Sequence, residues 1–179
     1  MMKYLFTLLL AFLFVGCSTL EVEHDYDENY NFTKVHTFRI MHNVKEGENT
    51  LLNERITTAL RDVLEKKGYQ KVEHNADLIF VYHYGVKDKV DLQTDYQMIG
   101  FPRRGFGGGA MIATTTTYEY KEGTIIIDAY DTQTKKIVWR AVGVLEVQHQ
   151  ETPQERRAYV YKIISGVMKD FPSHTHIQR

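Results

Sequence analysis

The chain is poor in cysteine, proline and serine, and has almost no net charge. Its 179 residues hold one cysteine, Cys17, and three prolines, and the formal charge is −1. A lone cysteine excludes an intrachain disulfide, so the fold must rest on its apolar core and its hydrogen bonds. A near-neutral balance argues against nucleic-acid binding, which needs a concentrated basic surface. The only serines are Ser18, Ser165 and Ser173, and none stands in a Gly-x-Ser-x-Gly setting, which argues against serine hydrolysis. No apolar run reaches the ~18 residues a membrane-spanning helix requires. Aromatic residues, by contrast, are plentiful. Twelve Tyr and nine Phe carry much of the expected core.

The longest apolar stretch, Leu5–Val15, follows Lys3 and precedes Gly16-Cys17. A basic start, a short apolar core and a small residue at the end form a secretory leader. Cys17 then has three readings: a small buried hydrophobe, a nucleophile, or an attachment point. A nucleophile needs a base and a pocket around it, and this residue lies at the edge of a segment expected to be removed. Phe14-Val15-Gly16-Cys17 resembles the bacterial lipobox, with Phe14 where Leu is usual. That resemblance implies a diacylglyceryl thioether on Cys17, cleavage after Gly16 and acylation, with palmitate for instance, of the new N-terminus. The absence of Asp after the cysteine, where Ser18 stands, implies sorting to the outer membrane, with the body facing the periplasm. Removal of residues 1–16 leaves 163 residues, enough for one domain with a sizeable core.

Period-two alternation predicts strands over 20–27 and 35–41. A helix is expected over about 51–67, with Leu52, Ile56, Ala59, Leu60, Val63 and Leu64 on one stripe, Asn49 or Thr50 as cap and Gly68 just past its end. "ADLIFVYHYGV" (76–86) is apolar on both faces and reads as a central strand. Residues 87–112 read as a flexible glycine-rich connection, with five glycines between Gly100 and Gly109. "ATTTTYEY", 124–131 and 137–147 read as further strands, joined by turns at "KEG" and "TQTK". Thr152-Pro153-Gln154-Glu155 is a capping box opening a helix to about Phe171, with Val160, Ile164, Val167, Met168 and Phe171 inward. The expected fold is therefore α+β, order β-β-α-β-β-β-β-α, an antiparallel sheet of five or six strands with both helices on one face.

The opening "DYDENYNFTKVHTFRI", the segment "GTIIIDAYDTQTKKIVWRAVG" and the closing "DFP" resemble a family of bacterial lipoproteins, domain of unknown function 4136, over nearly the whole chain after the leader. The resemblance implies an envelope lipoprotein of α+β fold and carries no catalytic residues.

Candidate chemistry is sparse. His174-x-His176 is the one close histidine pair and lies in the tail, and no zinc-site spacing appears. Asp88, Asp91 and Asp95 lack the EF-hand spacing and read as a solvated acidic loop. Asp131 suits the turn that follows it, and Asp128 is placed to pair with Arg140 on the returning strand, as a structural ion pair. Trp139 reads as core, and Asn31-Phe32-Thr33 as a chance glycosylation pattern. "GFGGG" lacks the Gly-Lys-Ser/Thr of a phosphate-binding loop. Phe101, Arg103, Arg104 and Phe106 around it form a candidate binding loop, offering aromatic anchors and cations to a protein partner or to anionic headgroups. The reading expects no metal, no cofactor, no nucleic acid and no enzyme. It expects a membrane-anchored binding or assembly module with an envelope partner. The alternative is a carrier of small ligands or lipid in a pocket between sheet and helices, and the least favoured reading is an unrecognised hydrolase.

Overall fold

The structure is a computed structural model that describes residues 20–42, 47–99 and 110–174, with the backbone alone described for 94–99 and 110–113. Six strands form one sheet: β1 (Leu20–Tyr26), β2 (Thr37–Met41), β3 (Gln70–Lys71), β4 (Leu78–Ile99), β5 (Ala110–Asp131) and β6 (Ile137–Glu146). Two helices complete it, α1 (Thr50–Lys66) between β2 and β3 and α2 (Pro153–Val167) after β6. The strand order is β1-β6-β5-β4-β2-β3.

Each helix starts where the chain supplies a cap. The Asn49 side chain accepts from Leu52 N–H at α1, and the reciprocal Thr152–Glu155 box opens α2 behind Pro153 at its first turn. α1 ends with Gly68 at φ +93°, the left-handed conformation that stops a helix at least cost in glycine. Ile56, Ala59, Leu60, Val63 and Leu64 are buried as the stripe required, while Leu52 is half-buried. α2 stops at Val167, four residues short of the expected end. Phe171 instead turns in as a plug, edge-on to Trp139 (centroids 5.1 Å apart) and Phe80 (5.3 Å). Trp139 is core, as expected.

The sheet is mixed, which corrects the antiparallel expectation. β2 runs parallel to β4, pairing Phe38 with Leu78 and Met41 with Val81, and β3 is parallel to β2. α1 is the reason. A 17-residue helix carries the chain back along the length of the strand it has left, so the next strand starts from the same end. β4 is central between β5 and β2, which accounts for its two apolar faces.

The expected connection 87–112 is also corrected. Residues 87–99 continue β4, and 110–112 begin β5, paired in unbroken register from Leu78↔Asp131 to Ile99↔Ala110. "KEG" is no turn: Lys121, Glu122 and Gly123 pair with Asp88, Lys87 and Val86. The acidic loop is likewise strand. Asp88 and Asp91 sit three residues apart and so on opposite faces, with Asp88 3.8 Å from Lys121 Nζ. The β5–β6 ladder stops at Glu122↔Glu146, and the β2–β4 ladder at Met41↔Val81. From Lys87 outward the hairpin is therefore a two-stranded ribbon, roughly 40 Å long at the usual strand rise.

Both helices lie on the face formed by Phe38, Leu78, Phe80, Tyr82, Ile127, Ala129 and Ala141, all fully buried with them in one core. α2 seats closely on β1 and β6 because glycines stand at the contact. A Cβ at Gly143 would lie 2.6 Å from Val167 Cγ2, and one at Gly166 2.5 Å from Leu20 Cδ2. On the other face Asp128, almost wholly buried, accepts both arms of the Arg140 guanidinium at 2.5 and 2.8 Å. The register sets these two residues opposite each other, as the sequence indicated. Asp131 accepts from Thr134 N–H (2.6 Å), Thr134 Oγ1 (2.8 Å) and Gln133 N–H (3.1 Å), the turn chemistry expected of it. Asn31 accepts from Thr33 N–H and Oγ1, so its spacing to Thr33 serves a turn.

Candidate ligand cleft and polar clusters

A cleft of about 250 Å³ opens where the ribbon leaves the body, between the start of α1, one face of α2 and parts of β4, β5 and β6. Its walls are Leu52 and Ile56 from α1, Ile163 and Ile164 from α2, and Ile125 and Leu145 from the sheet. Gly123 leaves space in the wall, since a Cβ there would meet Val147 Cγ2 at 3.0 Å and Leu145 at 3.8 Å. The rim is polar. Arg156 donates to the Gln150 and Glu151 carbonyls, each at 3.1 Å. Tyr159 OH donates to Glu146 O and accepts from Gln148 N–H, both at 3.1 Å. Arg55 differs: its half-buried guanidinium has no hydrogen bond and no carboxylate partner among the described residues.

A second polar group joins His42, Glu48, Asn53 and Tyr82. His42 Nε2 lies 2.7 Å from Glu48 Oε2, and Nδ1 lies 3.2 Å from Tyr82 O, with the imidazole stacked on the Tyr82 ring at 4.3 Å. Both ring nitrogens lie within hydrogen-bonding distance of protein oxygens, which leaves neither open toward a substrate. The neighbouring hydroxyls are Thr57 Oγ1 and Tyr82 OH, which bond each other at 3.1 Å, and burial pushes the Tyr82 phenol above its ordinary pKa. The geometry ties the segment before α1 to β4 and lacks an activated nucleophile.

A third cluster is held by carboxylates. Asp77 accepts from His36 N–H and Thr37 N–H, each at 2.9 Å, and from Thr37 Oγ1 at 2.8 Å. Partial burial raises its pKa, but these hydrogen bonds outweigh the burial and hold it below the usual range. Asp131 is held low in the same way, with Tyr30 OH donating at 2.8 Å. Tyr30 is correspondingly raised, by burial first and by this carboxylate second.

Cys17, Phe101, Arg103, Arg104 and Phe106 lie outside the described residues, as does His176. His174, expected in a loose tail, is ordered: its N–H donates to Lys67 O (2.8 Å) and its ring meets Val35 O and Tyr69. Among the described residues no three His, Cys, Asp or Glu side chains come together as a metal site would require, and no helix is long and apolar enough to cross a membrane. The sequence reading allowed for a pocket between sheet and helices as its alternative but named none of the residues that line it. The one local signal of the cleft was a pair of glycines, Gly85 and Gly123, inside otherwise apolar strands.

An α+β body with one mixed sheet, one helical layer and an apolar cleft at the root of a long hairpin is thus the class of protein at hand. The chain belongs to the family described as Domain of unknown function (DUF4136), whose model matches residues 22–173. No curated protein matches it significantly. Among solved structures it is similar to a PDZ domain protein from Parabacteroides distasonis, at 14% identity and TM-score 0.53, over 88% of this chain and 37% of that one. The chain therefore spans well under half the length of that relative, and the likeness shows the fold alone. Weaker likenesses are the PelC dodecamer from Paraburkholderia phytofirmans (11% identity, TM-score 0.48, 87% of this chain and 99% of that one) and a neuraminyllactose-binding hemagglutinin homolog from Helicobacter pylori (13%, 0.40, 81% and 89%).

Proposed function

We propose that this protein is a non-enzymatic binding module of the bacterial envelope, lipid-anchored at Cys17 to the outer membrane, that holds an apolar ligand in the cleft between its helices and its sheet. The cleft carries the reading. Its volume of about 250 Å³ and its aliphatic walls suit a hydrocarbon group, and pockets that bind small molecules are concave, mostly apolar and rimmed by a few polar groups. The position of the cleft supports the anchor's relevance. Leu20 pairs with Leu145 of the cleft wall, and Cys17 is three residues before Leu20. Three residues reach at most about 11 Å. An acylated Cys17 therefore keeps the cleft close to the bilayer, where apolar ligands are concentrated.

The test is displacement of an environment-sensitive naphthalene dye. The protein used is the chain from residue 17 onward, which contains the whole described body, with Cys17→Ser so that no acyl group competes. Dye fluorescence should rise on binding and fall when Ile163→Trp fills the cleft. A dye signal equal in both proteins would refute the cleft. Incorporation of labelled palmitate by the full chain, lost in Cys17→Ser, tests the anchor separately.

A further inference from the structure

We infer that the ligand is a single-chain anionic amphiphile, its acyl chain in the cleft and its carboxylate or phosphate on Arg55. This rests on the reading of the cleft just given and specifies its occupant. Three observations carry it.

The first is charge. Two guanidiniums stand at a cavity whose walls are mainly aliphatic, with Tyr84, Tyr159, Asn49, Thr124 and Gln150 among its lining. Arg156 donates to main-chain carbonyls, and its charge also acts on the neighbouring Glu155 carboxylate, which it helps to hold low. Next to it, Glu155 accepts from Glu151 N–H (3.0 Å) and Thr152 N–H (3.1 Å), and so belongs to the helix cap. Arg55 has neither hydrogen bond nor ion pair among the described residues. A planar, permanently charged fork over an apolar hole is the complement of a carboxylate or phosphate joined to a hydrocarbon.

The second is volume. At roughly 30 Å³ for each water-sized group, a cleft of about 250 Å³ holds about eight methylenes. The third is continuity. Val86 lines the cleft, and alternation puts Val90 and Leu92 on the same face of the ribbon, 62% and 64% exposed. The same face also carries Asp88 with Lys121 opposite it, Glu119 opposite Val90 and Thr117 opposite Leu92. Two exposed apolar side chains, Val90 and Leu92, thus continue from the cleft mouth along the ribbon between charged neighbours. A chain longer than the cleft finds apolar surface there instead of water.

The experiment compares decanoate, decyl phosphate and decanol as displacers of the naphthalene dye, on the Cys17→Ser chain and on the same chain with Arg55→Gln. The anions should bind about tenfold or more tighter than decanol, the range of one charge-assisted hydrogen bond. Arg55→Gln should remove that preference and leave decanol binding unchanged. Affinity should rise about fourfold per methylene up to eight carbons, then less steeply. A preference for decyl phosphate would assign a phospholipid-derived ligand, and a preference for decanoate a free fatty acid. Equal binding of all three, unaltered by Arg55→Gln, overturns the anionic ligand while the cleft stands. Failure of all three overturns the cleft as well. Arg55→Lys, which keeps the charge, should retain part of the preference; its complete loss in a folded protein would show that shape and not charge was lost.

Discussion

Replacement of Gly143 by alanine tests the contact that seats α2, and with it one wall of the cleft. The added Cβ would stand 2.6 Å from Val167 Cγ2, 3.2 Å from Ile125 Cγ2 and 3.4 Å from Leu20 Cδ1. Val167 is 1% exposed and β-branched in a helix, where one χ1 rotamer dominates, so it cannot swing aside. The helix must lift or the strand must bend. Overpacking of this kind costs about 1–3 kcal/mol. Against it stands the restricted unfolded chain of alanine, worth about 0.4–1 kcal/mol where the native conformation suits it. The net expectation is a loss of about 1–2 kcal/mol, read in urea as a lower midpoint with an unchanged slope. Gly166→Ala is the control. Its Cβ would lie 2.5 Å from Leu20 Cδ2, nominally the worse clash. Leu20 is only half-buried and unbranched at Cβ, so its tip can rotate away. Gly143→Ala should therefore destabilise more than Gly166→Ala, and Val167→Ala should cost less in the Gly143→Ala background than alone. A neutral Gly143→Ala, or the reverse order of the two glycines, would refute the argument that close approach of α2 requires glycine at 143.

Two further perturbations follow from the charged groups. Arg140→Ala leaves Asp128, about 3% exposed, without its bidentate partner, and should cost about 2–3 kcal/mol in chemical denaturation, towards the low end for a broken buried pair because Arg140 itself is half-exposed. The double change Asp128→Val with Arg140→Thr should cost less than Arg140→Ala alone. Asp77 and Asp131 both have pKa values held below the ordinary carboxylate range. A carboxylate depressed in the folded state contributes stability that is fully present above the unfolded pKa of about 4 and is lost as pH falls through the lower folded value. Melting temperature should therefore fall steeply below about pH 4, and Asp77→Asn should flatten that fall while lowering the plateau at neutral pH; an unchanged acid limb would refute the assignment.

What the sequence determined by itself was local. Asn49, Gly68 and the Thr152–Glu155 box mark helix ends because caps satisfy orphaned main-chain groups within a few residues. The turn at Asp131 is set by its own side chain, and Asp128 meets Arg140 because the short hairpin around it leaves one register. Only the tertiary structure decided what depends on distant pairing. Residues 87–93 mix Lys, Asp and Gln with Val and Leu, and all of them are exposed, so no core imposes a period on them. "KEG" carries ordinary turn chemistry, yet Gly123 is held in a strand by Val86 opposite and opens a wall of the cleft. The parallel pairing of β2 with β4 is a consequence of where α1 delivers the chain. The cleft draws each wall from a different element, and every one of those residues has an ordinary core or surface reading in its own segment. Leu145 and Arg55 lie ninety residues apart, and nothing short of the folded sheet and the packed helices brings an aliphatic wall and an unpaired guanidinium to the same opening.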